Sequence, residues 1–354
     1  MNSSVMVSAE ALRTFVERIF EHEGMSISHA QQVARALLWA NLRGMDTHGV
    51  SRVATYLGFI RKGVIQLEPQ LKWAQQAPAL NILEADRSPG AVSMQMATDH
   101  VAQQCKQTGL AMVLVRATTH TGALGYFTEQ LAHQGLIGMA YCSSLPMMAY
   151  HGARTAGVAT APLSIAAPAG VSQGQLQDPI VLDMASSTVS MGQLHRARKL
   201  KQDLAPGLAL DAQGNPTTDS QLAATPLPMA GPKGSGLALM FELITSLVVH
   251  NPIVANYFSE QAGAKKHQQN ACIMALDTFK FCAETTYRED LFRTVQALKN
   301  LPKADEAVDI LMPGERGYKT YAERLKAGIQ LPAAMVEELS GIAADKQLTP
   351  PWTH

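Results

Sequence analysis

The chain has 354 residues, with 29 basic and 29 acidic side chains and so no formal net charge. That balance argues against a nucleic-acid surface, which carries a basic excess. Apolar residues make up 47% and charged ones only 16%, which excludes a disordered chain and leaves enough length for two domains around a large core.

Ser8 opens a helical pattern with Leu12, Phe15, Val16, Ile19 and Phe20 on one face, ending at Gly24. Ser28 and Gln31 have capping-box spacing for a second helix, with Val33, Ala34, Leu37 and Leu38 as its apolar face. A third carries Val53, Leu57 and Ile60 and stops at Gly63. The pattern then changes. Leu80 to Ala85 reads as a strand, Ser88-Pro89-Gly90 as the entry to a helix running to about Gln107, and Leu110 to Val115 as a strand covered on both faces. A short helix from about Ala123 to His133 follows, then strands at Leu136 to Cys142, Leu163 to Ala167 and Ile180 to Leu182. This alternation predicts a mixed α/β domain. Gln202 to Ser220 reads as an exposed loop, Gly234 to His250 as one strongly apolar helix, Ala271 to Leu276 as a strand and Thr286 to Leu301 as a helix.

No apolar run reaches the roughly 20 residues needed to cross a bilayer; the longest, Leu237 to Val249, is broken by Glu242. The opening MNSSVMVSAEALRTF lacks a signal-peptide pattern, so a cytoplasmic location is expected. Cys105, Cys142, Cys272 and Cys282 form no C-x-x-C pair and read as reduced core residues.

Five stretches could carry chemistry. His48, Arg52 and Tyr56 are four residues apart at a helix junction, and a helix starting near Gly49 or Ser51 would align them along one face. An Arg there can grip a carboxylate with two parallel bonds, although a single His at a helix end is more often a cap or a satisfied core residue. His120 follows the buried strand within Thr118-Thr119-His120-Thr121-Gly122, where ligands collect at strand ends; capping the next helix is the plainer alternative. Ala230 to Gly236 places Lys233 and three glycines at a helix start, where unpaired N–H groups attract anions. It fits neither the Walker A nor the G-x-G-x-x-G pattern, and a glycine hinge explains it equally well. Asp183 to Ser187 could cradle a close-approaching ligand or simply cap a helix. Pro313-Gly314-Glu315-Arg316 reads by spacing as a turn. Asp46, His48 and His120 contain no metal-ligand pair spacing, so no metal is expected.

Seven stretches in order (LRGMDTHGVSR, VRATTHTGALGYF, GLIGMAYCSSLPMMAYHGA, LDMASS, LALDAQGNPTTD, GPKGSGLALMFELI and MPGERGY) resemble the type-2 malate/L-lactate dehydrogenases, and the resemblance covers the chain from about Ser8 to Arg324. That family also holds ureidoglycolate dehydrogenase, diketogulonate reductase and cyclic-imine carboxylate reductases. The resemblance implies an α/β fold: a non-Rossmann NAD(P)-binding mixed-sheet domain over residues 73–236, and a helical domain built from both chain ends, 1–72 and 237–354. It implies a homodimer, a small carboxylate substrate, no nucleic-acid or membrane partner, and NAD or NADP as cofactor, with NAD placed first. It implies His120 and His48 as catalytic residues, and Arg52, Tyr56 and His48 as substrate-binding. The implied cofactor set is Ser144, Thr160, Asp183, Met184, Ala185, Lys233, Gly234, Gly314, Glu315 and Arg316. The activity expected is hydride transfer between nicotinamide and a 2-hydroxy or 2-oxo acid; rivals are NADPH-dependent cyclic-imine reduction, an inactive carboxylate-binding homologue and a metal hydrolase. The chain departs from the family's usual G-T-N-P at Ala159-Thr160-Ala161-Pro162, from a common Gly-Lys at Gly192-Gln193, and from a common Tyr at Ser235.

Overall fold

The structure, a computed structural model, describes residues 4–261 and 268–352. Its first unit is helical. Helix α1 (Ala9–His22) is capped by Ser8, whose Oγ accepts the Ala11 N–H at 3.2 Å. Helix α2 (Ile27–Leu42) is capped by Ser26, not by the expected Ser28–Gln31 pair. Ser26 holds the extended backbone a cap requires and accepts from His29 N at 3.4 Å, so Ser28 already lies inside the first turn. Helix α3 (Val53–Arg61) completes the set. Strand β1 (Val5–Val7) pairs antiparallel with a strand at Ile329–Leu331, and the helix Ala333–Asp345 adds Val336, Leu339 and Ala343 to the same core as Leu12, Phe20 and Leu37. Both ends of the chain therefore share one hydrophobic core.

The second unit is a seven-stranded sheet. Its strands are β2 (Lys72–Ala77), β3 (Leu80–Glu84), β4 (Leu110–Thr118), β5 (Leu136–Ser144), β6 (Leu163–Ala167), β7 (Ile180–Met184) and β8 (Gln269–Asp277), in spatial order β7-β6-β5-β8-β4-β3-β2. Only β3 and β4 run parallel, joined through helix α4 (Gly90–Thr108); the other neighbours are antiparallel. Side chains alternate across the pleat. Ala111, Val113 and Val115 of β4 and Ile273 of β8 pack toward α4 and helix α5 (Gly125–His133), while Leu114, Tyr141 and Cys272 pack toward Ala238 and Phe241. Because β8 lies between β5 and β4, and Ala238 and Phe241 pack on the same sheet, these residues belong with the sheet. The expected boundary at 237 would put this strand in the helical unit, but its backbone pairs with β4 on one side and β5 on the other.

Two other expectations change. The apolar run after Gly234 is helix α7 (Pro232–Glu242) followed by a π-helical turn, Leu243–Leu247, instead of one α-helix. The charge that interrupts it has buried partners: Glu242 accepts the Ile253 and Val254 N–H groups at 2.8 and 2.9 Å and the Ser143 hydroxyl at 2.5 Å. The stretch 202–220 is not only a loop. It contains two-residue strands at Ala209–Leu210 and Pro216–Thr217, which join one at Thr225–Pro226. With helix α6 (Met191–Leu200) they enclose a small core of Val189, Leu194, Ala209 and Ala223. Strands two residues long are too short for alternation to reveal.

Candidate functional site

His120 is set by the end of β4. Ala117 takes a left-handed backbone (φ 55°), and the Asn270 amide oxygen accepts its N–H at 2.8 Å. The Thr118 hydroxyl meets Ser93 Oγ at 2.7 Å, and Thr119 Oγ1 donates to the Ser88 carbonyl at 2.8 Å. Gly90, at the start of α4, lies against this segment: a Cβ there would fall 2.3 Å from the His120 carbonyl oxygen. The loop that carries His120 is thus fixed on both sides by buried contacts.

The other arm comes from the helical unit. His48 and Arg52 end two successive 3-10 turns, Asp46–His48 and Val50–Arg52, and α3 begins only at Val53. The expected single helix through all three residues does not form, yet His48, Arg52 and Tyr56 still line one cavity. Asn41 ties the turns together: its Oδ1 accepts from Val50 N at 2.8 Å and its Nδ2 donates to Asp46 at 2.7 Å. A Cβ at Gly49 would sit 2.2 Å from that Asn41 oxygen, so only glycine fits. Arg324, from the helix Glu315–Ala327, holds the same Asp46 at 2.6 Å.

The two arms meet in a cavity of about 680 Å³. The Tyr56 hydroxyl is 2.7 Å from His120 Nδ1, and the His48 ring stacks on His120 with centroids 5.9 Å apart. Arg52 donates through Nε to the Thr47 carbonyl at 2.6 Å and has no carboxylate partner among the described residues. Burial, then the Arg52 charge, then His48 hold His120 well below the ordinary histidine value. Burial and Arg52 lower His48 to about 4. Burial raises the Tyr56 phenol. At neutral pH the cluster is therefore two neutral imidazoles, an intact phenol and one unpaired guanidinium. Such a set can grip an anion and exchange a proton beside it.

Ser144, Thr160, Asp183, Met184 and Ala185 line the same cavity. The Thr160 carbonyl accepts both the N–H and the hydroxyl of Ser186, at 2.9 and 2.8 Å, which draws the 159–162 turn onto the end of β7. Within that turn Ala161 is buried with φ 31°. Asp183 Oδ2 accepts the Gly125 N–H at the start of α5 at 2.8 Å, but burial outweighs that bond and raises its carboxyl to about 6. Lys233 is exposed one residue before Gly234, whose Cα packs against the Ser186 and Met229 backbone. Neither lines the cavity.

Gly314, Glu315 and Arg316 lie elsewhere. Gly314 starts the helix Glu315–Ala327, and its carbonyl accepts from Arg43 at 3.3 Å. Glu315 pairs with Lys299 at 2.7 Å and lines a second cavity of about 430 Å³ with Asp178, Ile180 and Phe292. The two cavities meet β7 at different points: Ile180 lines the second, Asp183 and Met184 the first.

Sequence reasoning missed three contributors. Asn270 and Gln269 sit at the β8 bulge, and Gln269 donates to Thr121 Oγ1 at 3.0 Å and to Cys142 Sγ at 3.2 Å. Arg87 lines the cavity from a left-handed backbone (φ 57°). A polar pair opening an apolar strand, and a charge just before Ser-Pro-Gly, were the available signals. Among the described residues no group of three or more His, Cys, Asp or Glu side chains could hold a metal, and no helix is long and apolar enough to cross a membrane.

A family profile described as malate/L-lactate dehydrogenase matches residues 7–340. Ureidoglycolate dehydrogenase (NAD(+)) of Escherichia coli O157:H7 is 31% identical over 313 residues, 87% of each chain. The (2R)-3-sulfolactate dehydrogenase (NADP(+)) of Chromohalobacter salexigens is 29% identical over 97% of this chain and 99% of its own. The solved malate dehydrogenase of Pyrococcus horikoshii OT3 superposes with a TM-score of 0.86 at 26% identity, covering 98% of this chain and 97% of that one.

Proposed function

Because this chain belongs to the malate/L-lactate dehydrogenase family, we propose that it is an NAD(P)-dependent oxidoreductase acting on a small 2-hydroxy or 2-oxo carboxylate. The observation that carries the reading is an unpaired Arg52 in the same cavity as the hydrogen-bonded pair of Tyr56 and His120. An arginine free of acidic partners suits a substrate carboxylate, and a neutral imidazole beside it suits the adjoining hydroxyl.

The nicotinamide cofactor fits the residues present. The cavity is larger than a three- or four-carbon acid requires, and small or short residues (Ser144, Thr160, Ala185) line its sheet side. Those residues, with Asp183 and Met184, would hold the nicotinamide half. Lys233, Gly234 and Gly314 to Arg316 are proposed for the remainder. When bound, the cofactor supplies the hydride acceptor or donor. The protein's own residues do the rest. Arg52 fixes the carboxylate and so orients the neighbouring carbon. His48 lies beside the same group. His120 takes the hydroxyl proton in oxidation and returns it in reduction.

A sheet with a single parallel pair supports a cofactor domain of its own type, not a doubly wound parallel one. The relatives named above use NAD in one case and NADP in another; NAD is the first choice here. The proposal includes a cytoplasmic homodimer, and exposed Leu239, Met240, Leu247 and Val248 along α7 and the π turn offer an apolar surface for the partner.

Fluorescence titration with NADH and, separately, NADPH tests the reading. Saturable binding of one is expected, followed by turnover with one of malate, lactate, ureidoglycolate, sulfolactate or a cyclic imine carboxylate. Binding of neither sinks it.

A further inference from the structure

Tyr56 does more in this geometry than touch the substrate. Its hydroxyl occupies Nδ1 of His120 at 2.7 Å, so Nε2 is the nitrogen left for a reacting group. A neutral imidazole carries one proton, and its two nitrogens then differ: one donates, the other accepts. If the Tyr56 O–H donates to Nδ1, the ring proton sits on Nε2, which can donate to a carbonyl but cannot take a proton. If Nδ1–H donates to the Tyr56 oxygen, Nε2 presents a lone pair and is a base. The second state requires the Tyr56 proton to find another acceptor.

Arg52 lies four residues earlier on the same wall, lines the same cavity, and carries an unpaired charge that acts on Tyr56 and on both imidazoles. The other charged and titratable groups lining this cavity are Arg87, Asp183 and Cys142. A carboxylate held by Arg52 is the anionic acceptor that could draw the Tyr56 O–H away from His120.

We propose that Tyr56 is a positioning residue that couples carboxylate binding at Arg52 to the tautomer of His120, turning Nε2 from donor to base. The inference rests on the 2-hydroxy acid reading. The step balances as follows. The Tyr56 O–H turns to the carboxylate; the Nε2–H bond breaks with its proton passing to solvent water, and Nδ1 takes a proton from solvent water and donates it to the Tyr56 oxygen. The substrate O–H bond then breaks and its proton forms an N–H at Nε2. The carbon's hydride leaves to oxidised nicotinamide as the C=O bond forms. In the other direction an Nε2–H returns that proton. A hydroxylated molecule lacking a carboxylate meets the donor tautomer and finds no base, so the carboxylate is read in turnover as well as in affinity.

The test is the ¹⁵N spectrum of His120 in the histidine-labelled full-length protein, assigned with His120→Asn, using oxamate as a carboxylate that does not react. Without oxamate, Nδ1 is expected to be pyridine-type and Nε2 pyrrole-type. At oxamate saturation the two types are expected to exchange. In Tyr56→Phe, oxamate should still bind through Arg52 but the exchange should vanish, and kcat for oxidation should fall by about tenfold or more. A purely structural Tyr56 would leave the tautomer unmoved. Unchanged tautomers in the wild type, no Arg52-dependent oxamate binding, or wild-type kcat in Tyr56→Phe would each overturn the proposal. Turnover without tautomer exchange sinks the coupling alone. Exchange without NAD(P)-linked turnover of any 2-hydroxy acid sinks the proposed function instead.

Discussion

Gly90 and His120 touch through backbone: a Cβ at Gly90 would lie 2.3 Å from the His120 carbonyl oxygen and 2.7 Å from that of Thr119. No side chain can give way, so the loop itself must move. Gly90→Ala is expected to lower kcat by about 10-fold or more, because small misplacements of a reacting group are costly, while NADH affinity changes little. Steady-state kinetics beside a cofactor titration checks this; equal losses in both would mean general unfolding.

Arg52→Ala should raise KM for the carboxylate by about 10- to 100-fold, the value of a hydrogen bond to a charged group, and leave cofactor affinity near wild type. Arg52→Lys should recover only part, since an ammonium cannot copy the guanidinium fork. Collapse of cofactor binding in either variant would move Arg52 out of the substrate site.

His120→Ala should cut kcat by about 10²–10⁴-fold without loss of NADH binding. The pH dependence follows from the depressed imidazoles. A base must be neutral, and His120 titrates well below the ordinary histidine range, so kcat/KM for oxidation should stay flat from pH 8 to pH 6.5 and fall only at more acid pH. Reduction needs the protonated ring, so its kcat/KM should decline steadily as pH rises through the same range. An oxidation profile with its midpoint at or above pH 6.5 would contradict the geometry.

Asp183 gives a stability signature. Its folded carboxyl is raised to about 6 from 3.8, so the folded state binds the proton more tightly and the ionised form costs stability as pH rises through about 6. Asp183→Asn keeps an oxygen for the Gly125 N–H and removes that cost. The variant should melt higher than wild type at pH 7.5, with the gain shrinking toward pH 4. A gain independent of pH would point to packing instead of charge.

Much of the site was legible because its residues obey local rules. Four-residue spacing put His48, Arg52 and Tyr56 on one wall even though two 3-10 turns replace the expected helix; the extended Gly49 between the turns and the Asn41 amide that ties them bring the three to one cavity. His120 was legible as the residue after a buried strand. The hydrogen bond between Tyr56 and His120 was not, because it joins residues 64 apart in sequence. Likewise β8 looked like part of the C-terminal helical region; its place between β5 and β4 depends on pairing no local pattern records.

Ala161 shows the reverse case. A departure visible in sequence takes its physical meaning only from the fold: a buried alanine at φ 31° pays the steric cost of the left-handed region, about 1–2 kcal/mol. Ala161→Gly is therefore expected to be neutral or to stabilise by up to about 1 kcal/mol in urea unfolding, the relief being offset by a more flexible unfolded chain. Marked destabilisation would show that the Ala161 methyl is needed for packing.

The shared core of the two chain ends has a consequence during synthesis. β1 cannot pair until Ile329–Leu331 exists, and the Asp46 turn that holds His48 waits for Arg324. The sheet, whose last strand ends at Asp277, can close while the remaining residues are still being translated. The N-terminal helices meanwhile lack one wall of their core until Val336, Leu339 and Ala343 have left the ribosome. A chain cut short after the sheet would therefore carry closed strands beside an unfinished helical unit, with the Asp46 turn that leads to His48 missing its Arg324 tie.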